Sequence, residues 1–498
     1  MNAHSLRLSE LLEVVPHSTV LGPVNGILTG CTCDSREVKK GDLFAALKGF
    51  HSDGRTFAAE AFARGAEVVL SHGGPLEPIP EGAAWIVSSR DREAFSAAAA
   101  AIYDPKGMKP KLIGVTGTNG KTTVAYFLRS ILGLAGGAGM LGTIEYDDGE
   151  GLKPAWRTTP EADHIHRWIR ALTRKKLPYG AMEVSSHALV LSRVNDISFN
   201  VAVFTNLTRD HLDFHRTMEN YYQAKLRLFD LLDRDGTAVV NTDDPFGARL
   251  ASGISASHLV TLGMDSASDV HPLKSDMDLT GTRGALTTPW GVVEVDSPLV
   301  GLFNLRNIEA AAAAALAAGA SIGDVESGIK NLSLVPGRVE RVDTGQPFSV
   351  LVDYAHTDDA LKQLLSTVRA LKPRRIITVF GCGGDRDASK RPLMGAVVAR
   401  LSDFIILTSD NPRTEDPAAI ADMVESGLRP ELSPSKEFRR LLNRREAIAL
   451  AVKSALEGDV VLIAGKGHER TQEEGGEKRP FHDPGVAREI LGEYGWPG

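Results

Sequence analysis

Short apolar runs alternate along this chain with longer segments whose apolar positions recur every three or four residues. The short runs predict buried strands and the longer periodic segments predict helices. Strand and helix in alternation predict a largely parallel sheet with helices on both faces. In the first unit a turn at Gly41 leads into an apolar run through Leu47, and 94–102 reads as a helix. Asp104, Pro105, Lys106 and Gly107, then Lys109, Pro110 and Lys111, read as a linker, because Pro and Gly break elements and the lysines favour solvent. A second unit opens with a strand at 112–115, a glycine-rich loop and a helix at 124–134. Further strands are expected at 179–184, 201–205 and 238–241. The pattern breaks at Pro336-Gly337 and restarts, with strands at 349–352, 376–380, 404–407 and 460–464. Helices are expected there at 359–371, 392–401, 418–426 and 445–456. The expected fold class is therefore α/β in three domains. Residues 1–106 form a small N-terminal α/β domain, 107–335 a central P-loop ATPase-like domain with a mostly parallel sheet, and 336–498 a Rossmann-like doubly wound domain.

Composition changes this picture little. A chain of 498 residues fits three domains. Its 43% hydrophobic and 24% charged residues are ordinary for a globular protein. A net charge of −7 argues against a broad nucleic-acid surface, which wants a basic face. The N-terminus lacks a basic stretch followed by an apolar one, so no signal peptide is expected. No run of about 18 apolar residues predicts a membrane span, and the alanine-rich stretch 310–320 reads as a packed helix. Three cysteines, Cys31, Cys33 and Cys382, are too few for a disulfide framework and fit a reducing cytosol. Cys31 and Cys33 have no second pair downstream, so they read as alternate strand residues rather than zinc ligands.

The chemistry enters with residues 114–123, Gly-Val-Thr-Gly-Thr-Asn-Gly-Lys-Thr-Thr. Backbone amides of a glycine loop at a helix N-terminus cradle phosphate oxygens. A lysine neutralises the β/γ charge, and the following hydroxyl can hold Mg²⁺. Lys121 and Thr122 take these roles, with Thr116, Gly117, Thr118, Asn119 and Gly120 forming the cradle. Val115 stands where the general pattern has glycine. Glu183 ends an apolar run, which puts it at the carboxyl end of a strand, where open α/β sheets bind ligands. It is the expected Mg²⁺ ligand beside Thr122. His211 and His215, four apart, have zinc-pair spacing, but no third ligand or HExxH context accompanies them.

The loop resembles that of the Mur ligases, and further motifs follow in the same order. These are Thr158-Thr159-Pro160, Glu183-Val184-Ser185-Ser186-His187, Asn206 to Asp213, Ala224-Lys225, Asp353-Tyr354-Ala355-His356, Gly383 to Asp387, Asp410-Asn411-Pro412-Arg413 and Gly465-Lys466-Gly467-His468-Glu469. The resemblance spans essentially the whole chain. It runs most strongly to the members that add meso-2,6-diaminopimelate to UDP-N-acetylmuramoyl-L-alanyl-D-glutamate during peptidoglycan synthesis.

It implies an ADP-forming ligase of the bacterial cytoplasm, working through an acyl-phosphate. ATP, the UDP-muramoyl-dipeptide and diaminopimelate would be its partners, without nucleic acid and with no oligomer required. It implies two Mg²⁺ ions, held by Thr122, Glu183, His211 and an N6-carboxylated Lys225, with His215 structural. Lysine shifts its pKa readily enough for a neutral amine to add CO₂. Lys121, Lys225, His211 and Glu183 would be catalytic. Asn304 and Asn307 would hold the adenine side, Arg338 and Asp353 the phosphates and ribose, with His356 organising the junction. The UDP-muramoyl-dipeptide would meet Cys33, Ser35, Phe50, His51, Ser52, Thr158, Thr159, Ser185, Leu191 and Arg193. Diaminopimelate would meet Arg386, Asp410, Asn411, Pro412, Arg413, Gly465 and Glu469, with Arg413 on its far carboxylate. Asp358 stands where the family has proline after Thr357. The lysine-adding homologue and folylpolyglutamate synthetase remain alternatives within the ligases, and a nucleotide-regulated binding protein outside them.

Overall fold

The computed structural model describes residues 5–49, 52–103, 107–255 and 258–496. Phe50, His51 and most of the expected linker at 104–107 lie outside them. The N-terminal sheet has the order Ser18–Leu21, Ala84–Ser88, Ala66–Ser71, Asp42–Ala45, Gly30–Thr32. Its first pair is antiparallel and the rest parallel. The strand at Gly30–Thr32 stops before Cys33, so only Cys31 is a strand residue. Helix Asp91–Tyr103 covers one face and Ala58–Ala63 the other.

The middle region carries an eight-stranded sheet. Its order is Leu152–Pro154, Glu145–Asp147, Ala138–Leu141, Tyr179–Glu183, Lys111–Thr116, Phe199–Phe204, Leu232–Asn241, Leu259–Leu262. All neighbours from Ala138–Leu141 onward pair in parallel, and the first two strands are antiparallel. Helix Lys121–Leu134 packs on one face with the alanine-rich Leu302–Ala318, and Ala162–Lys175 covers the other. Residues Ala311 to Ala315 are fully buried, which makes that stretch a core helix, as its composition predicts. A three-stranded antiparallel sheet, His271–Asp278, Gly281–Thr288 and Gly291–Ser297, is an addition the apolar pattern does not reveal. His271–Asp278 has no buried residue, so it lacks the apolar run that marks the other strands.

The last region has six strands in the order Glu340–Val342, Ser349–Asp353, Val460–Ala464, Ile376–Phe380, Phe404–Leu407, Glu437–Arg440, parallel except the first pair. Helices Asp358–Ala370, Lys390–Leu401 and Pro417–Leu428 cover one face, and Arg444–Ser454 and Asp483–Glu493 the other. A small hairpin, Thr471–Glu474 with Glu477–Pro480, stands outside the sheet. Asp358 does not disturb its helix start. Thr357 caps it by accepting a hydrogen bond from the Ala360 amide, so the absent proline leaves the turn intact.

Candidate active site

The phosphate loop joins strand Lys111–Thr116 to helix Lys121–Leu134. Val115 is a fully buried strand residue paired with Glu183, so the usual glycine position lies inside the sheet here. The conformation depends on two other glycines. Gly117 has φ of 151° and Gly120 of 89°. A Cβ at Gly117 would stand 1.8 Å from Thr205 Oγ1, and one at Gly120 2.4 Å from Asn307 Oδ1. The end of the neighbouring strand shapes the loop. The Thr118 amide donates to Asn206 O at 2.9 Å, the Asn119 amide to Asn206 Oδ1 at 2.9 Å, and Thr205 Oγ1 to Asn119 O at 2.6 Å.

Glu183 is fully buried at the carboxyl end of its strand, as its position in the sequence predicts. Its carboxylate accepts from Thr122 Oγ1 at 3.1 Å, the Thr143 amide at 2.7 Å and Thr143 Oγ1 at 2.9 Å. Lys225 departs from its helical context. In a polar segment a lysine is normally solvated, yet this one is 1% exposed. Its Nζ donates to Gly117 O at 2.7 Å and lies 4.5 Å from the Tyr221 ring centre. Lys121 Nζ donates to the same carbonyl at 3.0 Å and to Thr118 O at 2.9 Å. Burial, reinforced by the Lys121 charge, draws the Lys225 pKa well below its usual value, and burial also lowers that of Lys121.

His211 and His215 are not two positions on one helix face. His211 has φ of 53° and precedes the one-turn helix Leu212–His215. Its ring stands edge-on to His187 at 4.9 Å and to Tyr221 at 6.2 Å. Burial pushes its pKa down to about 4 against the raising effect of Asp210, so a neutral nitrogen is available at neutral pH. His215 bonds Ser186 Oγ at 2.9 Å and stacks on Tyr221, a structural placement.

A cavity of about 570 Å³ opens above the loop, between the middle and last regions. Asn119, Gly120 and Thr122 line one end, and Phe303, Arg306, Asn307, Leu364 and Thr367 extend it away from the loop. Arg338, Asp353, Tyr354 and His356 close it from the last region. Arg338 lies over the Tyr354 ring at 4.7 Å and reaches Thr122 Oγ1 at 3.4 Å. Asp353 is held by the amides of Val339 and Ala355. Asn304 does not line the cavity. It bonds Val300 O and accepts from Asn307 Nδ2, so it orients Asn307 from behind. The two regions also touch through Asn119 Nδ2 to Asp359 Oδ2 at 3.4 Å and Arg209 Nη2 to Ser389 Oγ at 2.7 Å.

Thr159 Oγ1 donates to Glu183 O at 2.8 Å and accepts from the Ser185 amide, and Thr158 Oγ1 meets Thr143 Oγ1. Arg193 Nη2 pairs with Glu161 at 2.9 Å and Nη1 donates to Thr159 O, so the chain already supplies it a carboxylate, while its buried Nε has no partner. Leu191 follows the helix Ser186–Val190 on the same segment. In the N-terminal region Ser35 is buried and donates to Glu60, while Ser52 is exposed. Cys33 faces Asp163, Glu161 and Arg157 of the middle region, and burial raises its thiol pKa.

The last expected group assembles at the carboxyl ends of strands Ile376–Phe380, Phe404–Leu407 and Val460–Ala464. Arg413 has φ of 56° and its Nη1 donates to Gly384 O at 2.6 Å. Asn411 Nδ2 donates to Glu469 at 2.7 Å, and the fully buried Lys466 donates to both Asn411 Oδ1 and Glu469. Gly465 has φ of 118° and abuts Asp410. Arg386 is exposed, and its Nη1 donates to Asp385 O in its own loop at 3.1 Å. Pro412 O lies against Gly384. Thr143, Tyr221, Asn206 and Phe303 escape the sequence reasoning. Only Asn206 sits in a recognisable motif, and the others act by spatial contact alone.

Residues 27–104 match the family described as Mur ligase family, catalytic domain. Residues 115–315 match the Mur ligase middle domain and 337–467 the Mur ligase, glutamate ligase domain. This chain belongs to the Mur ligase family. It is 45% identical to the "UDP-N-acetylmuramoyl-L-alanyl-D-glutamate--2,6-diaminopimelate ligase" of Geobacter metallireducens, over 96% of this chain and 97% of that one. The protein of the same name from Solibacter usitatus is 44% identical, over 99% of both chains. A solved structure of a ligase with that name has a TM-score of 0.69 and 31% identity, covering 98% of this chain and 99% of its own. Among the described residues no helix is long and apolar enough to cross a membrane.

Proposed function

We propose that this chain is the ATP-dependent ligase that joins meso-2,6-diaminopimelate to the γ-carboxylate of UDP-N-acetylmuramoyl-L-alanyl-D-glutamate, in peptidoglycan synthesis. The observation that carries this reading is the full-length similarity to 2,6-diaminopimelate ligases, together with Arg413 at the carboxyl end of a strand of the last region. The division at 1–106, 107–335 and 336–498 assigns UDP-sugar binding, ATP binding and amino-acid binding in that order. ATP and UDP-linked precursors are supplied in the bacterial cytoplasm, which is where the chain would work.

The γ-carboxylate oxygen of the substrate glutamate attacks the γ-phosphorus of ATP, the bond to the β-phosphate oxygen breaks, and ADP leaves. The diaminopimelate amine then attacks the acyl carbon, inorganic phosphate departs, and the amine gives up a proton. Lys121 and the loop amides hold the transferring phosphoryl group in line. Arg338 reaches the loop from the last region, so closure of the cavity completes the phosphate site.

The donor set suits Mg²⁺. Thr122 and Glu183 are oxygen donors already in contact, which is what a hard ion wants. Bound there, Mg²⁺ neutralises phosphate charge and orients the nucleophile. Among the described residues no three His, Cys, Asp or Glu side chains stand ready as a centre, so a second ion needs a further anion. The Lys225 and Lys121 amines converge on one carbonyl, and a carbamate formed on the Lys225 amine would supply the missing anion near His211. Asn307, held by Asn304, and Asp353 suit the nucleoside. Cys33, Ser35, Phe50, His51, Ser52, Thr158, Thr159, Ser185, Leu191 and Arg193 are assigned to the UDP-muramoyl-dipeptide. Arg386, Asp410, Asn411, Pro412, Arg413, Gly465 and Glu469 are assigned to diaminopimelate. The deciding experiment supplies UDP-muramoyl-dipeptide and ATP with diaminopimelate, lysine or ornithine in turn, and measures tripeptide product and phosphate. Product with diaminopimelate alone is expected, and product only with lysine overturns the assignment.

A further inference from the structure

The residues expected to select the amino acid do not hold their shape by themselves. Arg413 sits in left-handed backbone, which a side chain as large as arginine rarely adopts without support. The support comes from the hairpin Thr471–Glu474 and Glu477–Pro480. The Arg413 amide donates to Glu473 O at 3.0 Å, and the Gly475 amide donates back to Arg413 O at 2.7 Å. The Glu473 amide donates to Asn411 Oδ1 at 3.0 Å, and Gln472 Nε2 to Asp410 O at 2.7 Å. Arg413 thus pairs with the hairpin as a strand would, in a parallel bridge to Glu474. Four hydrogen bonds fix three of the selecting residues from one element. Glu473 also brings its carboxylate to 4.0 Å from Arg413 Nε, in a half-exposed and therefore weak pairing.

We infer that this hairpin is the template for amino-acid selection, with Gln472 and the Glu473–Gly475 backbone as positioning groups for Asp410, Asn411 and Arg413. The inference rests on the assignment of residues 410–413 to diaminopimelate. An arginine aimed at the far carboxylate discriminates only if its guanidinium is fixed there, because a loosely held side chain finds another partner when lysine is bound. The hairpin fixes the backbone from which the guanidinium extends to Gly384 O, and its Glu473 carboxylate gives Arg413 a replaceable partner between turnovers.

Two variants test this in the full chain. Glu473→Pro removes the amide that holds Asn411, and Gln472→Ala removes the bond to Asp410 O. Gln472→Lys restores a donor of similar reach, and Glu477→Ala on the exposed outer strand is the control. Glu473→Pro is expected to raise KM for diaminopimelate about tenfold and to narrow the diaminopimelate-to-lysine ratio of kcat/KM about tenfold. Gln472→Ala is expected to do so by roughly threefold, with recovery in Gln472→Lys. The KM values for ATP and the UDP-muramoyl-dipeptide stay unchanged, as do all constants of Glu477→Ala. Amide hydrogen exchange of residues 408–416 is measured alongside and needs no substrate, and it is expected to quicken in both variants. Unchanged exchange overturns the template, as does a rise of all three KM values together. Quickened exchange in a chain whose unaltered form ignores diaminopimelate upholds the template and overturns the substrate assignment instead.

Discussion

The phosphate-loop region and the last region both enclose basic side chains, and they partner them in opposite ways. Around the loop, Lys121 and Lys225 converge on one neutral carbonyl, and the nearby Glu183 is engaged by Thr122 and Thr143. In the last region each buried cation has a carboxylate. Arg444 forks onto Asp483 at 2.8 and 2.6 Å with both side chains fully buried, Arg391 onto Glu415, and Lys466 meets Glu469. The first region is electrostatically incomplete without an anion, and the second is neutralised in advance. A buried unpaired charge is costly, so it persists where a ligand supplies the counter-charge. A site for phosphate suits the first pattern. A site whose ligand carries both ammonium and carboxylate groups suits the second, where specificity depends on position rather than net charge.

The sharpest way to break this contrast is at Lys225. If Lys225 carries the proposed carbamate, Lys225→Ala is expected to lower kcat by about 10³-fold, since it would remove an anion that orders the phosphoryl-transfer site. A short carboxylic acid added to the assay should restore part of the loss. Lys225→Ala that stays fully active, or a loss that neither bicarbonate nor acid relieves, removes the carbamate role.

The neutralised side is tested at Arg444. It donates to Asp483, Ser409 O and Ala464 O, so it ties two pocket-bearing loops to the last helix. Arg444→Leu leaves Asp483 buried and unpaired and is expected to destabilise the chain by about 3–5 kcal/mol. Arg444→Leu with Asp483→Leu should recover most of this in a denaturant titration. No recovery in the double variant means the cost is packing rather than charge.

Selectivity is the next effect in size. Arg413→Ala is expected to reduce the preference for diaminopimelate over lysine by about 10–100-fold while the KM for ATP holds. A preference that stays unchanged shows that another cation reads the far carboxylate.

The smallest effect concerns the junction between the two regions. His468 stands tilted against Tyr354 at 5.1 Å, beside Arg338. Burial, with the Arg338 charge adding to it, pushes its pKa down from 6.5 to about 3. The unfolded chain therefore binds the extra proton between about pH 6.5 and 3, and the folded chain does not. The stability contributed by keeping this ring neutral is present above pH 6.5 and is lost as pH falls through that window. Melting temperature should drop from pH 7 to pH 5, less steeply in His468→Gln. Equal slopes in both proteins would assign the pH dependence to other groups.

Much of this was legible in the chain itself. The strand, glycine loop and helix at 111–134, one strand of the first region and the central parallel strands of the other two follow from apolar periodicity, which is local; the remaining strands of the first region do not stand out that way. Glu183 at a strand's carboxyl end follows from the same periodicity, and the family motifs name Lys225, His211 and Arg413. Tertiary structure alone decided the rest. Lys225 sits in a helix that reads as solvated, and only the packing of that helix against Gly117 buries its ammonium. Asn304 and Asn307 stand three apart on one helix face, yet only Asn307 lines the cavity, because Asn304 is engaged by Val300 O behind it and supports Asn307 from there. Arg193 finds Glu161, and the hairpin at 471–480 finds Arg413, through contacts between segments distant in sequence. Periodicity fixes which face of an element is buried; it carries no information about which distant element will cover that face, and the buried polar groups of this site find their partners at those covered faces.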